Sequence, residues 1–241
     1  MKKYIILLTI IFAPAALLSA ADFSLSTGGG GLLGYTFTRY TLEGGNVTST
    51  QSMDRLNYGG SVFFDATYGE LAVMFQGGSN SYAEKMDYAA NTLSNGKGKG
   101  YEASLGFSLL GKYPFRVSDK IAWFPLLGIE YQIALVEKRQ PEGGITYNRT
   151  KSYYLEDNDK NGKPYPLSAW NSWWIDVGAG LDYNITGPLF LRSALIFGFR
   201  LRTNYENGAL EVAQQQTGIK DPKLAGLTGG PALKISIGYR I

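Results

Sequence analysis

The last nine residues, Leu233 to Ile241, alternate without a fault. Leu233, Ile235, Ile237, Tyr239 and Ile241 hold the odd positions, and Lys234, Ser236, Gly238 and Arg240 hold the even ones. Side chains of a strand point alternately to opposite faces, so one face is apolar and the other carries charge. Termini of soluble domains usually fray into polar tails. A strand that closes a barrel in lipid must instead pair along its whole length, because every backbone group there needs a partner. The pattern predicts a closing membrane strand, with Ile237, Tyr239 and Ile241 on its lipid side.

The other end of the sequence agrees. Lys2 and Lys3 precede an apolar run from Tyr4 to Ala13, followed by Pro14 and the small-residue stretch Leu18-Ser19-Ala20-Ala21. A short basic region, an apolar core and a small-residue site form a secretory signal. The expected organisation is a signal peptide over residues 1–21, cleaved near Ala21, and one β-barrel domain over residues 22–241. Losing Lys2 and Lys3 leaves 21 basic residues against 20 acidic ones, so no basic field argues for nucleic acid.

Seven more segments alternate in the same way. They lie near 23–42, 58–68, 69–76, 101–109, 121–135, 173–183 and 189–202. Their outward set is apolar, as in Val62-Phe64 of the second and Leu127-Ile129 of the fifth. Their inward set, with the last strand, holds Asp65, Glu70, Glu102, Glu130, Asp176 and Asp182 against Arg192, Arg200, Arg202, Lys234 and Arg240. A soluble sandwich would put those charges outside. Charge on the lipid face of a barrel costs about 2–4 kcal/mol at the midplane, which is the physical cause of the separation. The fold class is therefore all-β, a closed antiparallel up-and-down transmembrane β-barrel of about eight strands.

Connections after the even strands are short, near Gly69, Pro114 to Lys120 and Ile185 to Pro188. Those after the odd strands are long: about Glu43 to Asn57, Gly77 to Gly100, Lys138 to Asn171 and Thr203 to Thr228. Short periplasmic turns and long outer loops characterise outer-membrane barrels. Tyr68, Tyr113, Trp123, Tyr183 and Tyr239 then gather at the periplasmic rim and Tyr35, Tyr101 and Trp173 toward the other, as interface belts do. A further hairpin from Ile145 to Glu156 and Pro164 to Trp174 would raise the count to ten strands.

On these features the chain resembles the small eight-stranded outer-membrane barrels, the type that includes OmpX, OmpW and the membrane domain of OmpA. The resemblance covers the whole mature chain and is architectural. The last strand is similar to the signal read by the outer-membrane assembly machinery, which is thereby implied as a partner beside outer-membrane lipid. That signal normally ends in Phe, Trp or Tyr; here it ends in Ile241, a departure that suits a lineage such as the spirochaetes. The OmpW side of the resemblance implies transport of small hydrophobic molecules.

Catalytic chemistry has little to work with. The sequence has no histidine and no cysteine, which removes disulfides, thiolate metal sites and the usual general base. No G-x-S-x-G is present either. The reading is a non-enzyme without cofactor. Asp157, Asp159 and Asn161, followed by Gly162, resemble the first half of a calcium loop, but the twelfth position is Ser168 where a bidentate Glu is needed. A solvated turn explains this segment better.

Two function classes follow. An eight-stranded barrel is just wide enough for its own side chains or one small ligand. Filling it with both signs of charge favours a plugged lumen and a structural or surface-interaction role, with four loops outside. Residues Lys151 to Tyr154 and Tyr165 would be available there to an extracellular or host ligand. The alternative is a narrow channel or transporter for small molecules.

Overall fold

Eight long strands form one antiparallel ring in the computed structural model, which describes residues 24–44, 47–88, 91–142, 147–149, 167–201, 203 and 223–241. In chain order the strands are β1 (Leu25–Gly44), β2 (Val47–Ala66), β3 (Gly69–Tyr88), β4 (Asn91–Lys112), the short β5 (Phe115–Arg116), β6 (Ile121–Pro141), the short β7 (Tyr147–Arg149), β8 (Ser172–Thr186), β9 (Leu189–Arg200) and β10 (Lys223–Arg240). A 3-10 turn at Leu167–Trp170 precedes β8. Neighbours run β4-β3-β2-β1-β10-β9-β8-β6, and a β4–β6 pairing closes the ring. β5 and β7 add short pairings to β6.

The first and last strands meet directly. β10 pairs with β1 from Ser26↔Arg240 to Glu43↔Lys223, and the Ile241 N–H donates to the Leu25 carbonyl at 2.8 Å. Closure removes the exposed sheet edges that lipid cannot solvate. Alternation then sorts the side chains. Leu33, Val62, Phe75, Leu127, Leu195 and Ile235 stand exposed on the outside, while Thr36, Asp65, Gln76, Glu130, Arg192 and Ser236 are buried inside. This is the inverse of a soluble barrel, and it places the apolar belt against hydrocarbon.

The two largest departures from the sequence reading are at 43–57 and 77–100. Their described residues, 43–44, 47–57, 77–88 and 91–100, are strand, not loop. β1 and β2 stay in register up to Gly44↔Val47, and β3 and β4 up to Tyr88↔Asn91. A strand of 20 residues is about 66 Å long, roughly twice what a tilted strand needs for a hydrocarbon core. The hairpins therefore rise well past the apolar band. β8 and β9 are shorter, with 15 and 12 residues. β6 likewise continues to Pro141 and β10 begins at Lys223, inside two other segments read as loops. Of the additional hairpin considered from sequence, β7 pairs with β6 and Trp170 lies in the 3-10 turn; the ring itself holds eight strands.

The opposite rim is built from tight turns. Residues 67–68 connect β2 to β3, so the bend sits just before Gly69, with Thr67 at φ 44°. The Thr67 hydroxyl donates to the Ser24 carbonyl at 3.0 Å and accepts from the Ser24 N–H at 2.8 Å, which ties this unusual turn to the start of β1. Gly187, at φ 49°, supplies the left-handed position between β8 and β9. One bulge interrupts β6: Ser104 faces Ala134 and Ala103 faces Val136, leaving Leu135 unopposed. Because a bulge inserts one residue, it exchanges the inward and outward sets beyond it. Glu130 and Gln132 face inward before the bulge, and Glu137 does so after it.

Candidate functional site

The lumen is filled in layers, and the layer nearest the short turns is the most tightly paired. Register puts Asp65 of β2 directly opposite Glu70 of β3, two like charges that repel unless a cation lies between them. Arg192 of β9 supplies it from across the ring. Its Nε and Nη2 donate to the two oxygens of Asp182 on β8 at 2.7 and 2.8 Å, and its Nη1 donates to Glu70 Oε2 at 2.6 Å. Nη2 also lies 2.6 Å from Asp65 Oδ2, and Lys112 at the end of β4 donates to that same oxygen. One guanidinium thus joins β8 to β2 and β3 through the centre of the barrel. A planar fork with five donors suits this task, which a single ammonium could not perform.

Aromatic rings complete the cage. The guanidinium carbon lies 4.9, 5.2 and 5.1 Å from the ring centres of Phe63, Phe124 and Phe190. Each ring covers a glycine of a neighbouring strand. A Cβ at Gly28 would come within 2.6 Å of Phe63, one at Gly180 within 2.4 Å of Phe124, and one at Gly238 within 2.1 Å of Phe190. The inward glycines thus make room for rings that hold Arg192 in a water-poor setting, where a cation–π contact is strongest. Lys112 lies over Phe124 at 4.8 Å and Arg240 over Phe190 at 5.0 Å.

Above this layer Gln132 donates to Glu130 at 2.7 Å. Glu130, Asp176 and Lys234 share a cavity of about 50 Å³ with Asn57, Gln76 and Trp174. Next, Arg55 donates to Glu102, which also accepts from Asn80 at 2.9 Å. Toward the hairpin end Arg200 donates to the Tyr40 hydroxyl at 2.9 Å, and Thr228 donates to Thr38 at 3.1 Å. A vestibule of about 80 Å³, lined by Tyr40, Arg55, Glu102, Glu137 and Arg200 among others, opens there.

Of the lumen charges read from sequence, Asp65, Glu70, Glu130, Asp176, Asp182, Arg192 and Lys234 are buried. Glu102, Arg200 and Arg240 are half-buried, and Arg202 lies outside the described residues. Arg240 rests on Phe190, and Asp65 is engaged by Lys112 and Arg192. Among the described residues, three lumen charges were missing from that set: Arg55, Lys112 and Glu137. Lys112 keeps the even parity of its strand, so one more step of the alternation reaches it.

The rim aromatics form continuous contacts. Tyr68 stacks with Tyr113 at 5.9 Å, Tyr113 meets Phe115 at 4.8 Å, and Phe115 stacks on Trp123 at 4.8 Å. Tyr183 and Tyr239 are exposed, and at the other rim Trp173 packs on Tyr131 at 4.7 Å. Ile237, Tyr239 and Ile241 all point outward, 57%, 51% and 74% exposed. The signal segment, its cleavage position, and Asp157, Asp159 and Asn161 lie outside the described residues.

No protein-family model and no curated protein matches the sequence. Among solved structures the chain is similar to the outer membrane protein OprG from Pseudomonas aeruginosa, with 12% identity and a TM-score of 0.44 over 91% of this chain and 96% of that one. It is similar to Ail, the attachment invasion locus protein of Yersinia pestis, in complex with the heparin analogue sucrose octasulfate, with 11% identity and a TM-score of 0.32 over 91% and 100%. It is also similar to the outer membrane protease OmpT from Escherichia coli, with 10% identity and a TM-score of 0.40 over 93% and 99%. On its own ring of strands, apolar belt and charged interior, the chain is an eight-stranded antiparallel β-barrel of the outer-membrane type.

Proposed function

We propose that this protein is a closed barrel of the bacterial outer membrane, plugged by its own charges, with a structural or surface-interaction role carried by its tall hairpins. The observation that carries this reading is Arg192, which pairs with Asp182 on the adjacent strand and crosses the lumen to Glu70 and Asp65. The space around it shrinks accordingly. From about 80 Å³ in the vestibule and about 50 Å³ beside Lys234, the cavity between Arg192 and Phe124 falls to about 10 Å³. That is at the limit for holding one water. A channel for small molecules would need a path through this layer.

Secretion with loss of residues 1–21 and recognition of β10 by the outer-membrane assembly machinery belong to the same reading. The hairpin end then faces outward, where β1 to β4 present their polar outer faces to a host or neighbouring surface. An epitope inserted between residues 44 and 47 should be labelled on intact cells. Proteoliposomes carrying the folded barrel should also swell no faster in small sugars or amino acids than empty vesicles. Labelling only after cell lysis, or solute-dependent swelling, would contradict the reading.

A further inference from the structure

The wall of the barrel changes construction where β8 begins, and the change carries an aromatic ring into the lumen. The β6–β8 ladder stops at Gln132↔Ser172. Beyond it the Asn171 side chain takes the place of the missing strand. Its Oδ1 accepts from the Ala134 N–H at 3.0 Å, and its Nδ2 donates to the Tyr131 hydroxyl at 3.1 Å. An Asn amide can stand in for a backbone peptide in this way. The Asn171 N–H also donates to the Ser168 carbonyl at 3.1 Å, closing the 3-10 turn. The turn is thereby pinned to β6 beside the Leu135 bulge, with Ala169 buried and Trp170 on the wall of the vestibule.

Rings and planar polar groups together line that vestibule. Trp170, Trp174, Tyr40 and Tyr82 supply the rings. Trp174 is buried, and its Nε1–H donates to Ser172 Oγ at 3.0 Å, which fixes the plane of the indole. The charged lining is balanced, Arg55 and Arg200 against Glu102 and Glu137. Arg55 is 9% exposed and donates to Glu102 through Nη1, while its Nε has no hydrogen-bond partner among the described residues. The cavity of about 80 Å³ has room for about five to eight water molecules, the volume that a single sugar ring displaces.

We infer that the vestibule is a binding site for one neutral monosaccharide unit, the exposed end of a glycan on a neighbouring surface. A sugar ring has an apolar C–H face, which an indole can cover, and a rim of hydroxyls that both donate and accept. Guanidinium groups donate to such hydroxyls and carboxylates accept from them, and both kinds line this cavity. Two charges of each sign leave no net field to favour an ionic ligand. An apolar ligand would displace water from Arg55 Nε without replacing its hydrogen bond, at the cost of a stranded buried donor. Pockets of this kind, aromatic walls with a few placed polar groups, are the usual form of small-molecule sites. The inference rests on the hairpin end facing outward, and it makes the vestibule a blind pocket above the Arg192 layer.

The test uses the full mature chain folded in neutral detergent, with folding followed by the heat-dependent gel shift. Methyl glucoside, methyl galactoside and N-acetylglucosamine are titrated while the indole N–H resonance of Trp170, assigned from W170F, is followed by NMR. At least one of the three should shift it saturably. Affinity in every variant is read from the sugar by saturation-transfer NMR. W170A should bind about tenfold more weakly while keeping its gel shift, and W170F should recover most of the affinity. W123F, at the opposite rim, should bind as the wild type does. Cyclohexanol, a ring of similar size with one hydroxyl, should bind more weakly than the sugar. Absence of a saturable shift with all three sugars would overturn the site, as would equal affinity of W170A and the wild type or tighter binding of cyclohexanol. Should W170A lose its gel shift, the wild-type resonance decides: a shift that cyclohexanol reproduces at equal concentration overturns the site, and one specific to the sugar supports it. Binding by the purified protein, without retention of intact cells on beads carrying that sugar, would keep the site and overturn the outward placement of the hairpin end.

Discussion

Replacing Arg192 by alanine is expected to stop the barrel from reaching its heat-resistant folded form. The side chain is 5% exposed and serves Asp182, Glu70 and Asp65 together, with Lys112 the other cation on this group of acids. Removing one partner of a buried ion pair costs about 3–5 kcal/mol, because the other charge stays buried without compensation. Here three carboxylates would share one ammonium. Native proteins are commonly stable by only about 5–15 kcal/mol, so a loss of this size is a large fraction of such a total. R192K should fail nearly as badly, since one ammonium cannot reach three acids in the geometry of the fork. The decisive variant is R192M with E70Q and D182N, which removes two stranded charges along with the cation. It should regain the gel shift that R192A lacks. If R192A alone folds as well as the wild type, the cage is not what holds the strands of this layer together.

Polar substitution of the lipid side of β10 should be equally damaging. Ile237, Tyr239 and Ile241 point outward from a strand that pairs with both β1 and β9. Each loses about 1.5–3 kcal/mol of apolar transfer when replaced by serine. I237S/Y239S/I241S should therefore be recovered unfolded or degraded. Substituting Thr48, Thr50 and Ser52 by alanine, on the β2 hairpin beyond the belt, should leave the folded yield unchanged. Wild-type yield for the β10 variant, measured as heat-modifiable protein in the membrane fraction, would show that this strand does not close the ring.

The parts of the fold that lipid touches were legible in the sequence, because hydrocarbon demands an apolar residue at every second position. Leu127 and Ile129 against Gly128 and Glu130 show this on β6. The upper halves of β2 and β3 gave no such signal. Apart from Met53 and Leu56, Thr48 to Asn57 is polar on both faces, since past the belt the outer face meets water and the inner face still lines a polar lumen. Strand and loop look alike under those conditions, and Arg55 was lost with that stretch. Glu137 was lost for a separate reason: the bulge at Leu135 reverses the parity that placed Glu130. The aromatic cage was hidden because Phe63, Phe124 and Phe190 owe their inward positions to glycines on other strands, and those pairings depend on register. Gly28 beside Phe63 becomes meaningful only once β1 and β2 are aligned.

Single-channel recording in planar bilayers tests the central claim most directly, that Arg192 and its three acids close the lumen. Folded wild-type protein, with insertion verified by its gel shift, should show no steady conductance steps in either polarity. Stable, regularly sized channels from the wild type would contradict the account, because ions would then be passing the layer where the cavity narrows to about 10 Å³.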